Sequence, residues 1–168
     1  MYCRILNEDD DIQFRRLRLE ALQNDPSAFA TTYERELNQP YDTYKKRLKH
    51  TDSQFVVGAF DDATLVCVAS FLRHSGPKMK HKGMLLSMFC KPDYRGTGIA
   101  KDLVQYFITE VKKLNDIETL LLMVLSENER AKTFYRRFGF VKYGTEPRAL
   151  FDGERYYDED LMMLDVCQ

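Results

Sequence analysis

Lys91-Pro92-Asp93-Tyr94-Arg95-Gly96-Thr97-Gly98-Ile99-Ala100-Lys101 follows an apolar run, Met84-Leu85-Leu86-Ser87-Met88-Phe89-Cys90. It precedes a helical pattern in which Ile99, Leu103, Val104, Phe107, Ile108, Val111 and Leu114 share one side at a period near 3.6. The order is therefore strand, glycine loop, helix. Two glycines two residues apart let the backbone turn tightly and approach a ligand with no side chain in the way. The first amides of the helix have no partner inside it and carry the positive end of its dipole. Such a helix start accepts an anion, and Arg95 and Lys101 add charge beside it. Phosphate is the expected guest.

The loop is not a Walker A motif, since no Gly-Lys-Ser/Thr follows it. As a dinucleotide fingerprint it fails at the third glycine, where Lys101 stands. Arg95-Gly96-Thr97-Gly98-Ile99-Ala100 instead resembles the Gln/Arg-x-x-Gly-x-Gly/Ala signature of the GNAT acetyltransferases. A second segment supports the resemblance. Leu125-Ser126-Glu127-Asn128, Ala131, Phe134-Tyr135 and Gly139-Phe140 are similar to that family's Asn-x-x-Ala-x-x-aromatic-Tyr-x-x-x-Gly-Phe pattern. The spacing between the two motifs suits one intervening helix and strand. The ending, from Pro147-Arg148-Ala149-Leu150 through Asp152-Gly153 to Leu161-Met162, resembles a bacterial branch of unassigned N-acetyltransferases.

The remaining sequence is compatible with that order of elements. Tyr2-Cys3-Arg4-Ile5-Leu6 reads as a short strand, and Asn7 caps a helix carrying Ile12, Leu17, Leu19 and Leu22. Phe29 to Leu37 reads as a short irregular helix, and Pro40 opens another that runs to about His50. Gln54–Phe60 and Leu65–Leu72 are β-rich runs joined by a hairpin at Asp61–Thr64. His74 to Lys82 reads as a solvated loop. Leu120–Leu125 is continuously apolar, which predicts a strand covered on both faces. Ser126 and Glu129 have capping-box spacing for the next helix, which Gly139 ends. The Lys82–Leu125 segment forms a strand–helix–strand crossover, expected to be right-handed and parallel. Phe140–Tyr143 resumes strand character, Asp152-Gly153 marks a further hairpin, and the last strand runs to about Val166. The expectation is an α+β (α/β/α layered) GNAT fold. It has a mostly antiparallel mixed sheet of about seven strands, one parallel splayed pair and about four helices, in a single domain over residues 1–168.

Composition narrows the classes of function. Hydrophobic residues are 44% and charged residues 30%, the balance of a soluble globular chain. A net charge of −1 gives no nucleic-acid footprint. No run of roughly 18 apolar residues spans a membrane, and the N-terminus has no signal-peptide core. Cys3, Cys67, Cys90 and Cys167 are scattered, and with 3 histidines a metal site is not expected. These features fit a reducing cytoplasm.

The resemblance implies roles for particular residues. Acetyl-CoA is the implied co-substrate. Backbone groups of Met88, Phe89 and Cys90 pair with its pantetheine arm, and amides of Arg95, Gly96, Thr97, Gly98, Ile99, Ala100 and Lys101 take its pyrophosphate. Asn128 matches the asparagine that contacts the cofactor, and Tyr135 the tyrosine that protonates the departing thiolate. The implied reaction is attack of a neutral primary amine on the thioester, with a backbone N–H near Phe89 or Cys90 stabilising the oxyanion. Deprotonating a lysine-like amine at pH 7 costs ~4–5 kcal/mol and an α-amine ~1 kcal/mol. The central part of Leu120–Leu125 carries no carboxylate where some relatives place a glutamate, so no base is assigned. Glu34, Glu36, Asp158 and Glu159 are the acidic candidates. Glu34, Asp158 and Glu159 suggest acceptor binding and a cationic acceptor. A small amine is the leading acceptor. A protein N-terminus or lysine, and a non-catalytic acyl-CoA sensor, are the alternatives. The resemblance also suggests a homodimer.

Overall fold

The structure, a computed structural model, describes residues 1–167. Seven strands form one sheet: β1 (Tyr2–Ile5), β2 (Gln54–Asp61), β3 (Thr64–Arg73), β4 (Lys82–Cys90), β5 (Thr119–Leu125), β6 (Val141–Phe151) and β7 (Tyr156–Asp165). Their order across the sheet is β1-β2-β3-β4-β5-β7-β6. Every neighbouring pair is antiparallel except β4–β5, which is parallel. The helices are α1 (Asp11–Asn24), α2 (Tyr33–Leu37), α3 (Asp42–Arg47), α4 (Ile99–Lys112) and α5 (Glu129–Arg136). This is the mixed, mostly antiparallel α+β sheet that the sequence predicts.

Two buried clusters lie on opposite faces. Along β2, Phe55, Val57 and Ala59 join Leu103, Phe107 and Val111 of α4, while Val56 and Phe60 join Phe14 and Leu17 of α1. A strand turns successive side chains to opposite faces, so β2 feeds both clusters in alternation. The apolar stripe predicted for α4 is buried from Ile99 to Val111.

Several expectations fail locally. Ile12 is 58% exposed. At 100° per residue it lies about 160° around the helix from Phe14, and the buried stripe of α1 runs Phe14, Leu17, Arg18, Ala21, Leu22. Phe29–Thr32 is not helical, and only Tyr33–Leu37 winds. β5 is fully covered on one face, where Leu120, Leu122 and Val124 are buried, but only in part on the other, where Leu125 is buried and Met123 is 42% exposed. Ser126 does not cap α5. Its hydroxyl donates to Asp160 Oδ1 at 2.7 Å, and Asn128 is the N-cap, accepting from the Ala131 amide at 3.0 Å.

The β4–β5 pair stops short. It is registered only at Lys82↔Thr119, Gly83↔Leu120 and Met84↔Leu121, although both strands continue. On its other side β4 stays paired with β3 to Cys90, with a register shift between the Val68 and Ser70 pairs. Ser87 takes φ 56°, a left-handed conformation that costs a non-glycine residue roughly 1–2 kcal/mol. The bulge turns β4 away from β5 and opens the sheet.

Candidate active site

Beyond Met84 the β5-facing edge of β4 has no strand partner among the described residues. The Lys91 amide donates to Val66 O at 3.0 Å, so strand alternation turns the Phe89 amide toward β3 and the Cys90 amide into the gap. Arg95 Nε donates to Cys90 O at 3.0 Å, and its Nη2 reaches Asp25 Oδ2 at 2.5 Å. The Arg95 side chain thus ties the loop to the end of β4 and to the end of α1.

The loop follows directly. Gly96 and Gly98 have φ +84° and +95°, and a Cβ at either would meet nothing within 4 Å. Their conformation, not crowding, calls for glycine, and the space in front of them is open. The Arg95 amide donates to Pro92 O at 3.1 Å and the Thr97 amide to Tyr94 O at 3.4 Å. Thr97 Oγ1 lies 3.5 Å from the Ile99 amide, while no side chain caps α4 from Gly98. The amides of Gly96, Gly98, Ala100 and Lys101 form no hydrogen bond among the described residues. An open cradle with uncapped first-turn amides suits a phosphate group.

Tyr135 is 8% exposed and packs with Cys90, Val124 and Phe140 on the α4–α5 face. Its ring meets Phe134 and Phe140 edge-on, with centroids 5.4 and 5.8 Å away. Burial pushes its hydroxyl well above the ordinary tyrosine range, and nearby Cys67 adds to this. Cys67 and Cys90 are opposite each other across β3–β4. The hydrogen bond between their thiols, with burial, raises Cys67.

On the opposite face, beneath α1–α3, lies an open cleft of about 360 Å³. Its lining includes Phe14 and Arg18 from α1, Glu36 from α2, Arg47 from α3, and Leu86 and Ser87 from the bulge of β4. Arg47 donates to Glu36 through Nη1 (2.9 Å to Oε2) and Nη2 (3.3 Å to Oε1). The Tyr44 hydroxyl lies 2.9 Å from both Glu36 O and Oε2. Burial favours protonation of Glu36, but the hydrogen bonds from Arg47 and Tyr44 outweigh it and hold the carboxyl below its usual range. Glu36 is therefore an ionised structural anchor, poorly suited to serve as a base at neutral pH. Burial, followed by Glu36, pushes Tyr44 up to about 12.

Sequence reasoning named Glu36 only as one acid among four and missed Arg18, Arg47 and Ser87. An arginine on the apolar stripe of α1, one turn from Phe14, was the available signal for Arg18. Glu34, Asp158 and Glu159 do not line the cleft. Asp158 accepts from the Arg148 amide at 2.8 Å. Burial, helped by Glu146 alongside, raises Glu159. Among the described residues no helix is long and apolar enough to cross a membrane.

A mixed sheet opened at its one parallel pair, with a glycine turn feeding a helix start beside the opening, is the architecture of an acetyltransferase. A family model described as "Acetyltransferase (GNAT) family" matches residues 17–140, and the chain belongs to that family. Acetyl-CoA is the family's acetyl donor. N-alpha-acetyltransferase 30 of Schizosaccharomyces pombe is 29% identical over 115 residues, 66% of this chain and 73% of that protein. A probable acetyltransferase of Staphylococcus epidermidis ATCC 12228 matches with TM-score 0.79 and 27% identity, over 98% of each chain. The Salmonella typhimurium protein yncA, solved with its cofactor acetyl-CoA, matches with TM-score 0.82 over 99% of this chain and 94% of that one. At 16% identity it speaks for the fold alone.

Proposed function

We propose that this acetyltransferase transfers the acetyl group to the nitrogen of a small primary amine that enters through the cleft beside Ser87. The observation that carries the reading is the opened parallel pair. It leaves an unpaired edge of β4 running from the cleft to the glycine loop. Acetyl-CoA, when bound, supplies an activated thioester.

The chain's own residues divide the remaining work. The edge at Met88 and Cys90, on either side of Phe89 whose amide faces β3, orients the pantetheine arm through backbone hydrogen bonds. The free amides of Gly96, Gly98, Ala100 and Lys101 hold the pyrophosphate, with Arg95, Thr97 and Ile99 fixing the turn. Asn128 starts α5 and so orients Tyr135 on its buried face. The Cys90 N–H, rather than that of Phe89, stabilises charge developing on the carbonyl oxygen, because it is the one turned into the gap. Tyr135 holds a proton at its hydroxyl throughout the neutral range and donates it toward the sulfur of the leaving thiol. Among the described residues the carboxylate lining the cleft, Glu36, is held by Arg47 and Tyr44 rather than free to take the amine's proton, which favours an acceptor of low pKa, such as an α-amine.

A second reading, an acceptor that is a protein N-terminus, has the name of the Schizosaccharomyces pombe relative in its favour. The test is chromatographic measurement of CoA released from acetyl-CoA across amino acids, polyamines, aminoglycosides and short peptides, with the acetylated product identified by mass spectrometry. Release with one small amine class above background hydrolysis supports the reading. Acetylation of peptides alone supports the second. Release with no class overturns both.

A further inference from the structure

Arg18 carries its charge into the buried stripe of α1. It is 6% exposed, and its Nη1 is fully buried with no hydrogen-bond partner among the described residues. Its Nη2 lies 3.8 Å from Glu36 Oε1, an ion pair without a hydrogen bond. Arg47 and Tyr44 hold Glu36 by both carboxylate oxygens, and so held it stays beyond hydrogen-bond distance of Arg18. Phe29, with its ring centroid 5.2 Å from the guanidinium, supports the cation from one side. Burial accordingly depresses the Arg18 pKa, with Glu36 only partly compensating.

Leaving a buried donor without a hydrogen bond is unfavourable, more so when the group is charged. The arrangement keeps such a donor in the wall of a cleft that also reaches Ser87 on the bulge of β4. Two arginines and one carboxylate give that wall a net positive charge. A cation is therefore disfavoured there, and an anion would find an unused guanidinium edge already desolvated and fixed in place. The volume of about 360 Å³ suits an amino acid and is small for an aminoglycoside.

We propose that Arg18 is the recognition site for a carboxylate on the acceptor, so that the substrates are small amines that also carry a carboxylate, of the size and charge of free amino acids. This inference rests on the reading that an amine is the acceptor. The carboxylate pairs with the Arg18 guanidinium where that side chain lines the cleft, and the amine end projects toward the opening at Ser87. Glu36 and Arg47 are positioning residues: their pairing keeps Glu36 from closing on Arg18.

Matched substrate sets test this with the wild-type enzyme alone. Glycine, methionine and phenylalanine are each compared with the corresponding α-carboxamide and decarboxylated amine at saturating acetyl-CoA. At least one free acid is expected to exceed both of its partners in kcat/KM by tenfold to a hundredfold, about the worth of one charge-assisted hydrogen bond. Arg18→Gln, checked for folding by its melting temperature, should bring the acid-to-amide ratio toward one, mainly through KM. If the amides, the decarboxylated amines or short peptides are acetylated at least as well as every acid, the inference is overturned while N-acetyl transfer stands. If no amine is acetylated, the amine reading itself fails. Calorimetry then decides the subsite independently of turnover, using N-acetylmethionine against N-acetylmethioninamide. Tighter binding of the acid to wild type but not to Arg18→Gln supports the subsite, and equal binding overturns it.

Discussion

Tyr135 and Ser87 each combine an unfavourable state with a place at the opening of the sheet. Tyr135 is buried among apolar groups, and burial raises its pKa above the usual value of about 10. A raised pKa keeps the proton on the hydroxyl to higher pH. Tyr135 therefore contributes no loss of activity up to about pH 10, and turnover should rise with pH as the amine deprotonates. Tyr135→Phe is expected to lower kcat by roughly 10²–10⁴-fold while leaving acetyl-CoA affinity nearly unchanged, as measured by steady-state kinetics and calorimetry. Wild-type turnover in that variant would remove the tyrosine from the chemistry. Ser87 accepts a strained backbone conformation at the one place where β4 must leave its partner. Nothing local in Ser87-Met88-Phe89 announces this, because the bulge depends on how β3 and β4 are registered.

At the scale of elements, the strand–loop–helix unit was the most legible part of the sequence. A glycine pair and a 3.6-residue period are local signals, and α4 buries the residues its pattern predicts. Gly98→Ala tests the loop: φ of +95° with open space predicts about 1–2 kcal/mol of destabilisation from backbone strain and a raised KM for acetyl-CoA. Gly144→Ala is the control, since its Cβ would make only an ordinary 3.7 Å contact with Leu161. Urea unfolding should place it within about 0.5 kcal/mol of wild type. The cleft was much less legible. Arg18, Glu36 and Arg47 come from three helices, and only their packing joins them. β5 misled for the same reason: an apolar run cannot say whether a helix returns to its second face. The cap of α5 shifted from Ser126 to Asn128 because Asp160, distant in sequence, takes the Ser126 hydroxyl.

At the scale of the molecule, Asp160 holds the opened half of the sheet together. It is 1% exposed and is engaged by Ser126, Lys132, Thr145 and Lys142, which join the β5–α5 turn, α5 and β6 to β7. Burial alone would raise its carboxyl, but hydrogen bonds from these four groups prevail and hold it far below the ordinary range. A depressed folded-state pKa contributes stability that is present above the unfolded value near 3.9 and lost as pH falls through the folded one. Asp160→Asn should melt several degrees below wild type at pH 7, with the difference shrinking below about pH 4. A difference independent of pH would contradict this assignment. The account's central claim is that the unpaired edge of β4 and the glycine loop together form the donor site. Hydrogen–deuterium exchange with and without acetyl-CoA reads those amides directly. The account predicts slowed exchange in peptides covering residues 85–90 and 96–101, with little change in β1, β2 and β6. Binding of acetyl-CoA that leaves both segments unprotected would contradict it.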